Sequence, residues 1–387
     1  MSKAAILKAR TSRESLTLFL LLLSLMTLVL PTAAQEDNAP LRSHQTLESA
    51  VLNQNLPLEK RISALKQLMG DEMVDGKLPR QFCVWDPLGK TGPIAAAARD
   101  QILRSLHYGM QLTIKVYQNE DVLISQFMNE PKCDAILIRG SKAHAFNAFM
   151  ATTEAPGAFP EREHLQLLTQ VLANPAIAGR LANPKYTALG LVTIGTNRLY
   201  TSSTEISSLT DMRGLSIGLT DNDSGSDRLA QAMNGRVRSA DLATTIDAFA
   251  NDLTQAMIAP DIAYLAMGNG RLSDEAQASS SAISQSTLQL IGHTDRFPPG
   301  LAQILREDFL FKFSSYARVL DRELSNIPDT FWRTFSEQDE AQLEKLSQKT
   351  RLALRDEGYY DRHMLKLARK IRCRFSPDVS ECINPVE

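Results

Sequence analysis

A tryptophan and an aspartate stand side by side at Trp85 and Asp86, and Thr91, Gly92 and Pro93 follow shortly after. An indole face beside a carboxylate can stack on a small organic molecule and hydrogen-bond it, and the carboxylate also attracts amines. Thr91 and Gly92 offer N–H groups at the start of the next helix, where the macrodipole favours an anion. The plainer alternative is a core tryptophan beside a helix-capping aspartate. The same stretch, "CVWDPLGKTGPI", contains Gly89-Lys90-Thr91 and mimics a nucleotide loop. A phosphate-cradling loop needs a second glycine five residues before the Gly-Lys pair. Val84 stands there, so the nucleotide reading fails.

Three further side chains are candidates for contact with a small molecule. Arg139 ends the apolar run "CDAILIRG" and supplies a cation for an acidic solute, with a surface salt bridge as the alternative. Asp221 opens "DNDSGSD", whose alternating acids imitate a calcium loop. That pattern requires glycine at its sixth position and an acid at its twelfth. Ser226 and Ala232 occupy those places, so a strand-to-helix loop is the expectation and no metal is assigned. Tyr264, near the end of an expected strand "DIAYLAMG", adds a ring with a hydroxyl. The histidines are scattered without zinc spacing, and there is no nucleophile elbow. No cofactor is assigned, and enzyme readings have no positive support.

These residues need elements to hold them. From Phe82 onward short apolar strands alternate with helices: "FCVWD", the alanine-rich "GPIAAAARDQILRSLHYG", "LTIKVYQ", "EDVLISQFMNE" and "CDAILIRG". Such alternation predicts a parallel sheet covered by helices, with ligands beyond the carboxyl ends of the strands. "WDPLGKTG" is then the loop leaving the first strand at that edge. A second unit of the same kind begins near residue 186 and runs to the strand "STLQLIGHTDRFP" at 286–298. It is short and inserted into the first, so the chain crosses between lobes twice, near 190 and 286. Two lobes joined in this way enclose a cleft. The expected organisation is a lobe of residues 80–190 plus 286–387, a second lobe of 191–285, and a helical segment at 35–79. Long charged helices at 300–325 and 338–371 close the chain and offer a face for a homodimer.

Residues 1–34 carry Lys3, Lys8, Arg10 and Arg13, an uncharged apolar run at 16–30, Pro31 and the small residues Thr32-Ala33-Ala34. That is the pattern of a cleavable secretory signal. The 42 basic and 44 acidic residues nearly cancel and no dense basic run appears in the mature part, which excludes the electrostatic footprint of a nucleic-acid binder. All four cysteines, Cys83, Cys133, Cys373 and Cys382, lie in the exported part, where an even count favours disulfides. If "CVWD" and "CDAILI" are parallel neighbours, Cys83 and Cys133 lie side by side, and Cys373 and Cys382 would close a short C-terminal loop; other pairings stay open.

The order and spacing of "CVWDPLGKTGPI", "CDAILIRGSKAHAFNAF", "EAPGAFPEREHL" and "STLQLIGHTDRFPPG" resemble a divergent branch of the TRAP-type periplasmic solute-binding proteins, over roughly residues 80–310. The resemblance implies an α/β, two-lobed, type II-like binding protein with crossing hinge strands. It further implies a periplasmic, non-catalytic role: capture of a small organic solute for membrane transporter subunits. "ISSLTDMRGLSIGLT" is similar to the segment of that family leading into a strand that carries a ligand-binding arginine, but Gly218 stands in the arginine's place. Glycine cannot supply a bidentate, fixed charge. Two rivals accompany this reading, an efflux-associated envelope accessory protein and an exported hydrolase acting through Asp86.

Overall fold

The computed structural model describes residues 39–267 and 271–387, so the expected export signal lies outside the described residues. The chain divides into two units, Met1–Thr46 and Leu47–Glu387. Helix α1 (Ala39–Leu52) begins in the first, and every later element belongs to the second.

Pro57 separates α1 from α2 (Leu58–Leu68), as the sequence predicts. The alternation then unfolds as β1 (Leu78–Trp85), α3 (Pro93–His107), β2 (Met110–Tyr117), α4 (Glu120–Asn129) and β3 (Ala135–Arg139). Helix α3 starts with Pro93 in its first turn, where a missing N–H is harmless. β1 pairs in parallel with both β2 and β3. After α5 (Arg162–Leu172), the 16-residue β4 (Tyr186–Thr201) carries the chain into a second set: β5 (Ser216–Thr220), α6 (Ser224–Ala232), β6 (Arg236–Ala240), α7 (Leu242–Ala250), β7 (Ala256–Pro260), α8 (Ala263–Met267) and β8 (Gln277–Ser279). β9 (Ser284–His293) carries it back.

The strand order is β2-β1-β3-β9-β4-β7-β5-β6. Two lobes arise because β4 and β9 are the only bridge along this path. β3 lies against Leu288–Gly292 of β9, and β7 lies against Asn197–Thr201 of β4. Between those ladders, Thr193–Thr196 and Gln285–Thr287 pair only with each other. The lobes were expected to be parallel sheets. Each is in fact mixed, since β9 runs antiparallel to β3 and β4 antiparallel to β7. The reason is topological: one crossing strand leaves the first lobe and the other returns to it, so they must run in opposite directions.

The register of the bridge slips between Thr193 and Gly195. Gly195 has φ +117°, and the carboxylate of Asp261 occupies the space where a Cβ would be. Only glycine adopts that backbone freely.

Cys83 is bonded to Cys133 with Cα atoms 5.7 Å apart, and Cys373 to Cys382 at 5.6 Å. The strands do not start at these cysteines as the sequence implied. Cys83 sits inside β1 opposite Ile136, and Cys133 precedes β3. The first bridge therefore ties β1 to the loop entering β3. Closing a span of 50 residues stabilises the fold by about 4 kcal/mol in the chain-entropy account.

Beyond α9 (Pro299–Leu324) and the two-residue β10 (Trp332–Arg333), the stretch expected as one helix is two, α10 (Glu337–Asp356) and α11 (Arg362–Phe375). Gly358, at φ +78°, makes the break. Arg351 of α10 donates to the Pro156 carbonyl at 2.7 Å and Arg372 of α11 to the Ala158 carbonyl at 2.8 Å. Arg228 of α6 meets Glu357 through two bonds of 2.9 Å, so the C-terminal helices also hold the second lobe. Among the described residues no helix is long and apolar enough to cross a membrane.

Candidate functional site

Strand alternation puts Phe82 and Val84 of β1, Leu112 and Ile114 of β2, and Leu288 and Leu290 of β9 on one face of the first lobe's sheet. Helices α3 and α9 lie over that face without filling it. The space continues past Val192 and Ile194 of β4 to α7 and α8 of the second lobe, where Leu242, Ile246, Ile262 and Leu265 line it. The resulting cavity has a volume of about 710 Å³, inside the range of roughly 300–1,000 Å³ found for small-molecule sites.

Trp85 and Asp86 both contribute to the wall. The Trp85 ring is buried, and its Nε1–H donates to the Gln118 carbonyl at 3.2 Å. Asp86 is fully buried, and its two oxygens accept from the N–H groups of Leu88 and Ala95, each at 2.9 Å. Ala95 lies in the first turn of α3, so the carboxylate supplies the negative charge that this helix end favours. The chain thus provides its own anion where Thr91 and Gly92 were expected to receive one. Thr91 is exposed, contacts the Leu88 carbonyl at 3.4 Å, and is not part of the cavity wall. A side chain at Gly92 would overlap the Asp86 carboxylate. Gly92→Ala is therefore expected to displace the cap and cost about 1–2 kcal/mol, read as a lower urea midpoint with an unchanged slope.

Arg139 and Asp221 are brought together. Arg139 leaves the end of β3 in the first lobe and Asp221 the end of β5 in the second. Arg139 Nη2 donates to Asp221 Oδ1 at 2.8 Å, and Arg139 Nε donates to Glu120 Oε2 at 2.7 Å. The guanidinium lies 5.4 Å from the centre of the Trp85 ring. Lys142 joins them, its Nζ 2.6 Å from Asp221 Oδ2 and 2.5 Å from Asp121 Oδ1. Burial opposes the charge on Arg139, but Glu120 and Asp221 outweigh it and hold the pKa above its ordinary value. Burial likewise opposes the Asp221 carboxylate, and hydrogen bonds from Lys142 and Arg139 overcome it, leaving the pKa below normal. Neither side chain lines the cavity. They form an ionic tie between lobes, and the positive charge of Arg139 is matched inside the protein.

A second buried acid lies under the bridge. Glu154 accepts from the N–H of Thr287 at 2.6 Å and its hydroxyl at 2.7 Å. Burial pushes its pKa up to about 8, with the nearby Asp223 adding to the rise. Asp223 itself caps α6 by accepting from Ser226 N–H at 2.9 Å, so "DNDSGSD" is a strand-to-helix loop. Tyr264 lies in the helix α8 and not in the expected strand, because the strand β7 already ends at Pro260, and it turns away from the cavity wall with its ring 4.6 Å from that of Phe331. Gly218 faces Thr245, Thr254 and Met257, where an added Cβ would find atoms at 3.3, 3.4 and 3.5 Å; a long side chain has no room there.

Sequence reasoning did not find Lys142, Glu120 or Glu154. The clustered acids of "NEDV" and the cations of "RGSK" carry a complementary charge signal, but their meeting depends on the sheet. The apolar wall of α7 and α8 gives no signal distinct from ordinary core. Among the described residues no group of His, Cys, Asp and Glu is arranged to hold a metal ion.

The architecture is that of the two-lobed TRAP periplasmic solute-binding proteins. The chain superposes on one from Desulfovibrio salexigens with bound orotic acid at TM-score 0.64, 12% identity, and coverage of 77% of this chain and 99% of that one. A second, from Ralstonia eutropha H16 with bound (S)-2-acetolactate, gives TM-score 0.61 at 11% identity, covering 76% and 99%. The chain belongs to the family described as solute-binding protein AdeT 1/2, whose model matches residues 100–385. It is 26% identical over 301 residues to the Acinetobacter baumannii protein named Probable solute-binding protein AdeT1, covering 77% of this chain and 98% of that protein.

Proposed function

We propose that this chain is a non-catalytic, periplasmic solute-binding protein that captures one small organic solute between its lobes and presents the closed form to membrane transporter subunits. The observation that carries this reading is the cavity of about 710 Å³, walled by both lobes where the crossing strands β4 and β9 pass between them. The lobes are residues 80–190 plus 286–387 and residues 191–285, after a helical segment at 35–79. They turn about the ribbon of Thr193–Thr196 and Gln285–Thr287, which no third strand joins. Two disulfides suit an oxidising compartment, and the export signal read at 1–34 delivers the chain there.

A thermal-shift screen against organic acids, amino acids, amines and amphiphiles tests this. A true solute at a hundred times its Kd is expected to add about 2.7 kcal/mol of stability and to reduce the radius of gyration in solution scattering. Turnover of the hit would replace this reading with the hydrolase. Absence of any hit would leave the envelope accessory protein.

A further inference from the structure

We propose that the cavity takes the hydrocarbon body of an amphiphile whose cationic head group stays at the rim. This rests on the solute-binding reading above and names the class of its solute.

The wall decides the body. Val84, Leu112, Ile114 and Leu288 face the cavity from the first lobe, and Ile246 and Ile262 from the second. A small polyanion placed among them would lose its hydration without gaining donors, which costs several kcal/mol per unmatched group. A hydrocarbon chain gains from the same surroundings in proportion to the area it removes from water.

The charges decide the head. Four carboxylates, Asp86, Asp247, Asp308 and Glu323, border the cavity against two guanidinium groups, Arg104 and Arg271. Both guanidiniums are already paired, Arg104 with Asp308 at 3.0 Å and Arg271 with Asp247 at 2.6 Å. The Asp86 oxygens are taken by backbone N–H groups. Asp247 and Glu323 are exposed, as are Leu88 and Val319 on the same border. The two guanidinium pairs neutralise Asp247 and Asp308, the latter with Lys312 also 3.4 Å away, so the apolar mouth owes its net acidity to the exposed Glu323 and the buried Asp86, which draws a cation with an attached hydrophobe and repels a carboxylate.

Titration calorimetry with the purified protein tests this, using n-alkylamines of increasing length below their micelle concentrations, dodecanoate, and malonate. The amines are expected to bind one per chain, with affinity rising about fourfold per added methylene. Dodecylamine should bind at least tenfold more tightly than dodecanoate. Ala97→Trp projects into the cavity from an exposed site on α3 and should abolish amine binding; Ala243→Trp does the same from α7 should the first variant fail to fold. The double change Asp247→Asn and Glu323→Gln should bring amine and carboxylate to near parity. Equal binding of dodecylamine and dodecanoate by the unaltered protein overturns the proposal. So does saturable binding of malonate without alkyl dependence, which leaves the solute-binding reading standing. Failure of every compound in the wider thermal-shift screen overturns both.

Discussion

Asp221→Ala is expected to destabilise the protein by about 3 kcal/mol and to loosen the two lobes. The carboxylate receives Arg139 Nη2 at 2.8 Å and Lys142 Nζ at 2.6 Å, both from the opposite lobe. After its removal Arg139 keeps Glu120, whereas Lys142, 3% exposed, keeps only the exposed Asp121. A buried ammonium without an adequate counter-charge is the costly remainder, and breaking a buried pair from one side typically costs 3–5 kcal/mol. Asp221 is a quarter exposed, which places the effect at the low end of that range. Urea unfolding measures the loss, and solution scattering should show a larger radius of gyration in the variant. Asp221→Asn keeps the shape without the charge and should fall between. If both variants match the unaltered protein in midpoint and radius, the ionic tie does not hold the lobes together.

The same tie explains what could and could not be read from the sequence. Strand and helix alternation is written in local composition, so β1 to β3 and β5 were legible along with α3, α4 and α6, whereas the polar edge strand β6 went unread and "DIAYLAMG", read as a strand, holds the short helix α8 just after β7. The crossing strands were legible only as positions, because their antiparallel direction follows from the path of the whole chain. Arg139 and Asp221 were both singled out, each as a possible ligand contact. Their mutual pairing was invisible because it joins residues 82 apart in sequence through two strand ends in different lobes. Asp86 follows the plainer of its two readings, capping α3 with its carboxylate while it borders the cavity.

The wall of the cavity was illegible for a different reason. Ile246 and Ile262 have the spacing and character of core residues, and nothing in their type distinguishes a filled interior from an open one. Only the gap left between α3, α9 and the sheet does so. The outcome also bears on Gly218. The strand there presents a bare backbone covered by Thr245 and Met257.

Glu154→Gln is expected to flatten the pH dependence of stability between about pH 4.5 and 8. The folded protein holds this carboxyl neutral because burial raises its pKa from 4.5 to about 8, with Asp223 adding to the rise while the Thr287 bonds and Arg139 oppose it. The unfolded chain releases the proton near 4.5. The folded state therefore binds more protons across that window, so the stabilisation is complete below the unfolded pKa and is lost as pH rises through the folded one. A difference of 8 − 4.5 units corresponds to about 4–5 kcal/mol between the two ends. Glutamine still accepts from the Thr287 N–H and hydroxyl but has no proton to lose, so the variant should equal the unaltered protein near pH 4 and exceed it increasingly toward pH 9. Asp261, pushed up to about 6 by burial, and Asp223, also raised, contribute slopes of the same sign that remain in the variant. Urea denaturation of both proteins from pH 5 to 9 resolves the difference, since every other group's slope is common to the two and only the Glu154 share separates them. Parallel curves for the two proteins across pH 7–9 would show that Glu154 is ionised in the folded state, and that the bridge at Thr287 rests on a carboxylate rather than a neutral acid.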